Sequence, residues 1–119
     1  MPSTTTYESG QVVVVNVPFT DQSGAKRRPA LILSTEAFHR RLPDLIACPI
    51  SSQPRFYERP GPGDQPLRHW RAVGLRYPSV ARISNLVSVD KRIIERSLGN
   101  LEQEDLDEVR DRLRLAFDL

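Results

Sequence analysis

Three consecutive cations, Lys26, Arg27 and Arg28, stand directly before Pro29 and the apolar run that follows it. The residue before a proline is held in an extended backbone conformation, and proline is tolerated as the first residue of a strand. We therefore expect Arg28 at the mouth of a strand, where a charged loop ends. A guanidinium is permanently charged and its donors match two oxygens of a phosphate, so the pattern predicts a site for an oxyanion.

The distribution of charge along the chain favours a polymeric anion. The net charge is +2, but residues 26–82 carry eleven Lys and Arg against four Asp and Glu, whereas residues 83–119 carry six against nine. A basic middle and an acidic end indicate a polyanionic partner for the middle. The competing interpretation is a compositional bias toward arginine, which alone could supply several of these residues.

The sequence has few of the residues that metal sites and disulfides require. Cys48 is the single cysteine, which excludes an internal disulfide and a thiolate-rich metal site. His39 and His69 have no partner at metal-ligand spacing, so we expect neither a metal nor another cofactor. No apolar run has the length of a membrane span or the pattern of a secretory signal, so we expect a cytoplasmic protein with no membrane partner.

The elements that must position the basic residues are mostly strands. The length predicts one domain, 1–119, with residues 1–9 as a flexible start. Apolar runs predict strands at 11–17, 29–34, 45–52, 72–75, 79–83 and 86–89. The first run has consecutive valines, which is typical of a strand buried on both faces. Pro49 in the third run indicates a sheet edge or a bulge.

Three further segments complete the predicted architecture. Residues 53–70, rich in Pro, Gly and Arg, predict a long basic loop. Residues 91–97 predict a short helix, capped by Asp90 and ended at Gly99. Apolar residues at helical spacing predict an amphipathic terminal helix over 101–117. The fold class is therefore mostly β with a C-terminal helix (α+β), in which a small, strongly bent sheet or barrel packs against that helix.

Four segments together carry a resemblance to a known family. They are GQVVVVNVPFTDQSGAKRRPALILS, CPISS, WRAVGLRYPSVARISNLVSVDKRII and LGNLEQEDLDEV, and they span most of residues 10–110. In these segments the chain resembles the MazF/PemK family of toxins from type II toxin–antitoxin systems. The resemblance implies an SH3-like small β-barrel with a C-terminal helix, a homodimer, and a metal-independent, sequence-specific endoribonuclease that a cognate antitoxin silences.

The resemblance also implies roles for individual residues. The catalytic arginine of the family falls on Arg28 and its catalytic threonine on Ser51, which keeps the hydroxyl but lacks the methyl group that restricts χ1. Contacts to single-stranded RNA are implied for Phe19, Thr20, Lys26, Arg27, Ser52, Gln53 and Arg82. Where several members carry an acid that is proposed as the general base, this chain has Ser84, so the base is left unassigned.

The implied reaction is transesterification of RNA. The 2′-hydroxyl of the substrate attacks the adjacent phosphate, which leaves a 2′,3′-cyclic phosphate and a 5′-hydroxyl. Arg28 is suited to stabilise the charge on five-coordinate phosphorus, and Ser51 to orient the phosphate or the 2′-hydroxyl. Two alternatives for Ser51 remain open: a strand-end hydroxyl bonded to backbone, or Ser52 in the same role.

Stacking and a different function are two further hypotheses. Phe56, Tyr57 and Trp70 among arginines are suited to stack single-stranded bases. The alternative function is a non-catalytic toxin on the same fold. One version is a CcdB-like gyrase inhibitor whose contacts lie on residues 117–119, and the other is a degenerate homologue that only binds its antitoxin.

Overall fold

A computed structural model of the chain describes residues 5–18 and 25–119. Its strands and helices follow in this order: β1 Gln11–Pro18, β2 Ala25–Ile32, α1 Glu36–His39, β3 Asp44–Ser51, α2 Pro54–Glu58, β4 Asp64–Pro66, β5 Val80–Arg82, β6 Val87–Asp90, β7 Ile94–Asn100 and α3 Gln103–Phe117. Two single turns of 3-10 helix, Ile83–Asn85 and Lys91–Ile93, flank β6. No helix in these ranges is long and apolar enough to cross a membrane.

The strands form one antiparallel sheet with the order β4-β5-β3-β2-β1-β7, and β6 pairs with the first half of β3. Across the described strands this pairing ends at β4 and at β7, so the sheet is not closed. The mostly β fold with a C-terminal helix is therefore confirmed, and the strongly bent sheet or small barrel that was expected is a sheet that is not closed.

Strand β1 is buried on both faces, as its run of valines predicts. Val12 packs with Leu31 in one apolar cluster, whereas Val13 and Val15 pack with Ile32 in a second cluster. Full burial of a valine side chain contributes about 1.5–3 kcal/mol. The valines therefore fix β1 as the central support of the sheet, with β2 on one side and β7 on the other.

The basic residues lie inside β2 and not before it. Arg28 pairs with Val15 of β1, and Pro29 pairs with Val14. The prediction of Arg28 at a strand mouth is therefore wrong. Pro29 is tolerated within the strand because β3 pairs with β2 only over Ala30–Ile32, so the side of Pro29 that faces β3 needs no amide donor.

Pro49 lies where β3 changes partner. The pairing of β3 with β6 ends at Ala47, and its pairing with β5 begins at Ile50. The missing N–H of proline costs nothing at such a gap. The expected edge or bulge is thus realised as a gap between two partner strands.

The segment after β3 is more ordered than its composition suggests. Within 53–70, predicted as a loop, the chain forms α2 and β4. Residues 72–75, predicted as a strand, form turns instead.

The segment 91–97 is also different from its predicted helix. Asp90 does cap a turn, because its carboxylate accepts the Arg92 N–H at 2.9 Å. That turn ends at Ile93, and the chain continues as β7, which includes Gly99 and pairs with the open edge of β1. Pairing with β1 therefore overrides the local helical signals.

Helix α3 begins at Gln103, two residues after the predicted start, and ends at Phe117 as predicted. Leu106 and Val109 are buried on its inner face. The buried carboxylate of Asp105 accepts the backbone N–H groups of Arg68 and His69 at 2.8 and 2.9 Å. Both carboxylate oxygens are satisfied, and α3 thereby anchors the turns that follow β4.

The residues before β1 are held by a buried histidine. His39 is 1% exposed, and its Nε2 lies 2.7 Å from the carbonyl oxygen of Tyr7. Its Nδ1 lies 2.8 Å from the hydroxyl of Ser34. Because a carbonyl only accepts, Nε2 carries the proton and Nδ1 accepts from the serine. His39 thus joins the start of the described chain to α1.

Candidate functional site

A groove of about 540 Å³ opens over β1 and β2, beside the end of β3. We call it the basic groove, because five of its lining residues are cations: Lys26, Arg27, Arg28, Arg76 and Arg96. Four more carry hydroxyls: Ser51, Ser52, Tyr77 and Ser79. Its floor is apolar and includes Val14, Pro29 and Ile50. The groove therefore offers positive charge and hydroxyl donors above a dry floor, which suits a chain of phosphates.

The groove brings together most of the residues expected at the site. Its lining includes Lys26, Arg27, Arg28, Ser51, Ser52 and Gln53. Phe19 and Thr20 lie outside the described residues. Arg82 is described but is absent from this lining.

Strand register explains why these residues meet. Val14 of β1 is opposite Pro29 on β2 and opposite Arg96 on β7. Arg28, next to Pro29, is opposite Val15. The two strands that flank β1, β2 and β7, therefore bring cations to one short stretch of it.

Arg27 is held on the groove wall by an ion pair across β1. Its Nε lies 2.5 Å from Oε2 of Glu95, which belongs to β7. The arginine side chain is 72% exposed, so the pair contributes at most about 1 kcal/mol to stability. The pair restricts the conformations of the Arg27 side chain, and the carboxylate of Glu95 neutralises part of its positive charge.

Ser51 makes the backbone contact that one alternative predicts, and it keeps a donor. Its Oγ accepts the N–H of Gln53 at 3.2 Å. A hydroxyl that accepts one hydrogen bond still has its own hydrogen to donate. Ser51 can therefore donate to a phosphate oxygen in the groove without giving up the turn that begins at Gln53. Ser52 lines the same groove and stays an alternative.

The described wall of the groove carries neither carboxylates nor imidazoles. Ser84, at the position of the acid found in some resembling toxins, is elsewhere: it lines a separate cavity of about 570 Å³ next to Phe117 of α3. We call this second space the apolar cavity, since most of its lining is hydrophobic.

Arg82 is engaged on the other side of β5. Its Nε lies 2.7 Å from Oδ1 of the buried Asp64, and its guanidinium carbon lies 3.7 Å from the centre of the Phe56 ring. The N–H does not point at the oxygen, so the contact is an ion pair and not a hydrogen bond. Arg55 also lies over the Phe56 ring, at 4.6 Å. Arg82 therefore fastens α2 to β4 and β5, and Phe56 already stacks with two arginines.

Sequence reasoning missed Arg76, Tyr77 and Arg96. Arg96 was assigned to a helix, and only its place in β7 turns it toward the groove lining. Arg76 and Tyr77 lie in a bend that was read as a link between strands. The one signal in the sequence was Tyr77 directly after the cation Arg76. The same combination of an aromatic residue and a cation drew attention to residues 55–57.

Cys48 takes no part in the groove. Its side chain is fully buried in the apolar cluster with Leu31, and burial raises the pKa of the thiol to about 12. A thiol with such a pKa is inert at neutral pH. Within residues 5–18 and 25–119 no three His, Cys, Asp or Glu side chains come together as metal ligands.

Comparison with known proteins gives the family of the chain. A family model described as a PemK-like, MazF-like toxin of type II toxin–antitoxin systems matches residues 8–117. The chain belongs to this family. No protein with a curated description matches it.

Solved structures of MazF proteins have the same fold as this family member. A MazE–MazF crystal structure from Deinococcus radiodurans is 29% identical, with a TM-score of 0.74, and the match covers 97% of this chain and 99% of the other. MazF alone from that organism is 27% identical, with a TM-score of 0.73 and coverage of 98% and 100%. An endoribonuclease in complex with its cognate antitoxin, from a mycobacterial species, is 19% identical, with a TM-score of 0.71 and coverage of 98% and 97%. At that identity the likeness shows the fold alone.

Proposed function

We propose that this toxin is a metal-independent, sequence-specific endoribonuclease that cuts single-stranded RNA in the cytoplasm. The observation that carries the proposal is the basic groove, whose lining contains Arg28 and Ser51 together with four further cations. Family membership supports it, since a mycobacterial protein of the same fold is described as an endoribonuclease.

Arg28 and Ser51 would act on the scissile phosphate. The 2′-oxygen forms a bond to phosphorus while the bond from phosphorus to the 5′-oxygen breaks, which yields a 2′,3′-cyclic phosphate and a 5′-hydroxyl. Arg28 donates to the two non-bridging oxygens as their charge grows, an effect worth about 3 kcal/mol of barrier. Ser51 donates its hydroxyl hydrogen to hold the phosphate in line. Lys26, Arg27 and Arg96 position the flanking phosphates.

Proton transfer in this scheme relies on solvent. The described wall offers no carboxylate and no imidazole to take the proton of the 2′-hydroxyl. Five cations around that hydroxyl favour its anionic form, so they lower its pKa. The proton then leaves to water or hydroxide, and another water protonates the departing 5′-oxygen. The logarithm of the rate is accordingly expected to rise by about one per pH unit between pH 6 and 8.5, without a bend at the pKa of an acid or histidine.

Cleavage of a long RNA in EDTA tests the proposal. The wild-type protein is expected to cut, and the products should carry cyclic phosphate and 5′-hydroxyl ends. Arg28→Ala should lower the rate more than about 100-fold. Arg41→Ala is the matched control, because Arg41 is exposed and lines neither the basic groove nor the apolar cavity. Cleavage that survives Arg28→Ala, or that needs added metal, would overturn the assignment.

We further propose that a cognate antitoxin occupies the basic groove with an extended acidic segment. The five cations of the groove are complementary to such a segment. The Deinococcus MazE–MazF structures contain an antitoxin with a toxin of this fold. A synthetic acidic peptide should therefore compete with RNA for the groove, and competition should weaken as salt is raised.

A homodimer is the third part of the proposal. Leu115, Phe117 and Leu119 at the end of α3 are 83%, 56% and 86% exposed, and the first two line the apolar cavity. Exposed apolar side chains in one place indicate a protein interface. Light scattering at micromolar concentration is expected to give twice the monomer mass, and a monomer at that concentration would contradict this part.

A further inference from the structure

A smaller cavity of about 220 Å³ adjoins the basic groove, between α2 and the turn at 77–78. It is lined by Ser52, Pro54, Tyr57, Glu58, Tyr77 and Pro78, and we call it the tyrosine pocket. Ser52 and Tyr77 line both spaces, so the two lie next to each other. A nucleotide next to the one held at Ser51 would have its base at the mouth of this pocket.

The walls of the tyrosine pocket suit a flat aromatic ligand. Tyr77 is 64% exposed, and Tyr57 is half-buried. Single-stranded RNA is read by bases that turn outward and stack on aromatic side chains. Unlike Phe56, which lies under Arg82 and Arg55, neither tyrosine carries a guanidinium over its ring in the described part of the chain.

Glu58 is out of place in a surface that binds phosphates. It is exposed at the end of α2, with Arg55 on the same helix and Arg59 directly after it. No ion pair or hydrogen bond among the described residues engages its carboxylate. A carboxylate repels the RNA backbone, so it does not serve general affinity. It can accept hydrogen bonds from the edge of a base.

The chemistry of a lone carboxylate selects among the four bases. Guanine presents two N–H donors side by side on its Watson–Crick edge, and these match the two oxygens of Glu58. Adenine and cytosine present one amino group, and uracil presents one N–H between two carbonyl oxygens that repel a carboxylate. We propose that the tyrosine pocket is a guanine subsite for single-stranded RNA, with Glu58 as the specificity-determining residue and Tyr57 and Tyr77 as stacking walls. The proposal rests on the proposed function of the basic groove.

The contacts of Arg82 explain how this subsite is held in shape. The ion pair with Asp64 and the stacking on Phe56 fix α2 against β4 and β5. Phe56 directly precedes Tyr57 and Glu58, so the same contacts fix the position of the pocket wall. Arg82 is thus a positioning residue for base recognition.

Binding of short oligonucleotides to the wild-type toxin tests the subsite without any cleavage. The probes are fluorescent heptamers of deoxyuridine, with or without one central deoxyguanosine, and they lack the 2′-hydroxyl that acts as nucleophile. The guanine probe should bind about tenfold more tightly. Glu58→Gln should reduce this ratio to within about twofold, while Glu102→Gln, an exposed glutamate outside the three cavities, should leave it unchanged. Tyr77→Phe should preserve the ratio, whereas Tyr77→Ala should weaken the guanine probe about tenfold.

Each result decides a separate point. Equal affinity of the two probes, failure of both to bind, or a ratio that survives Glu58→Gln would overturn the guanine subsite, even if the toxin cuts RNA. A ratio that depends on Glu58 in a protein that cuts no RNA would support the subsite and overturn only the proposed nuclease. A variant of the basic groove separates it from the tyrosine pocket as well. Arg96→Ala removes a phosphate contact, so it should weaken the binding of both probes equally and leave the ratio of their affinities intact.

Discussion

The basic groove and the apolar cavity have similar volumes, about 540 and 570 Å³, and opposite chemistry. Five cations and four hydroxyls line the basic groove, whereas Arg112 is the one charged residue in the described lining of the apolar cavity. The first suits a chain of phosphates, and the second suits an apolar protein surface. The two hypotheses for this toxin therefore correspond to two places: an RNA-cutting toxin depends on Arg28, and a CcdB-like toxin depends on the end of α3.

The largest expected effect separates these two places directly. Arg28→Ala should lower RNA cleavage more than about 100-fold and abolish growth arrest. Removal of residues 117–119, which contact the apolar cavity or lie beyond it, should leave cleavage in vitro within about threefold of the full chain. The reverse pattern, with toxicity lost on truncation and kept in Arg28→Ala, would establish the CcdB-like alternative. Both measurements use one inducible expression plasmid and one RNA.

A second prediction concerns the anchor at the start of α3, the helix whose other end lines the apolar cavity. Asp105→Ala removes the acceptor of the Arg68 and His69 N–H groups and should lower the free energy of unfolding by about 3 kcal/mol, because two hydrogen bonds to a buried carboxylate are lost. Urea unfolding measures the change. Asp107→Ala, an exposed position on the same helix, should change stability by less than about 0.5 kcal/mol. Equal stability of the two variants would show that the anchor is dispensable.

A third prediction concerns the cation that the sequence did not reveal. Arg96→Ala should weaken RNA binding about fivefold and reduce the slope of log affinity against log salt by about 0.7, the value for one phosphate contact on a single strand. Arg92→Ala is the control, since Arg92 is 89% exposed and pairs with Asp90 outside the groove. An unchanged salt slope for Arg96→Ala would remove β7 from the RNA interface.

The smallest effect is expected at Cys48, which is buried in the apolar cluster with Leu31 and takes no part in the groove. Burial raises the pKa of Cys48 to about 12, so the folded state holds the thiol in its unreactive, protonated form at pH 8. A thiol reagent should give no detectable product until urea unfolds the chain, and then one equivalent. Prompt reaction of the native protein would mean that the apolar cluster around Cys48 opens to solvent in the folded state.

Local patterns predicted the elements that are held by local periodicity or by burial. The valines of β1 and the apolar stripe of α3 are examples, and both were found in place. Strand β7 was missed because its sequence, IERSLGN, has no alternating pattern and the strand forms by pairing with β1. The sequence left a bent sheet and a barrel both open for a related reason, since closure depends on contacts between residues far apart in the chain.

The site residues that belong to a sequence motif were predicted. Those that reach the groove only through the pairing register of the strands were missed. Arg28 and Ser51 followed from the family segments, and the groove contains both. Arg96 reaches the groove only because it lies opposite Val14, which no local pattern indicates. The motif predicted an RNA contact for Arg82. In the structure its guanidinium forms an ion pair with Asp64 and stacks on Phe56, and both residues are distant from it in sequence.

The change of partner at Pro49 also bears on the register of β3, the strand that ends at Ser51. If β3 slid by one residue along β5 or β6, Pro49 would leave the gap between the two pairings and enter a position where a backbone N–H is needed. Every side chain of β3 would also change face. Pro49 thus restricts β3 to a single register. Ser51 lies two residues beyond Pro49, so a fixed register also fixes its place relative to β2, the strand that carries Arg28.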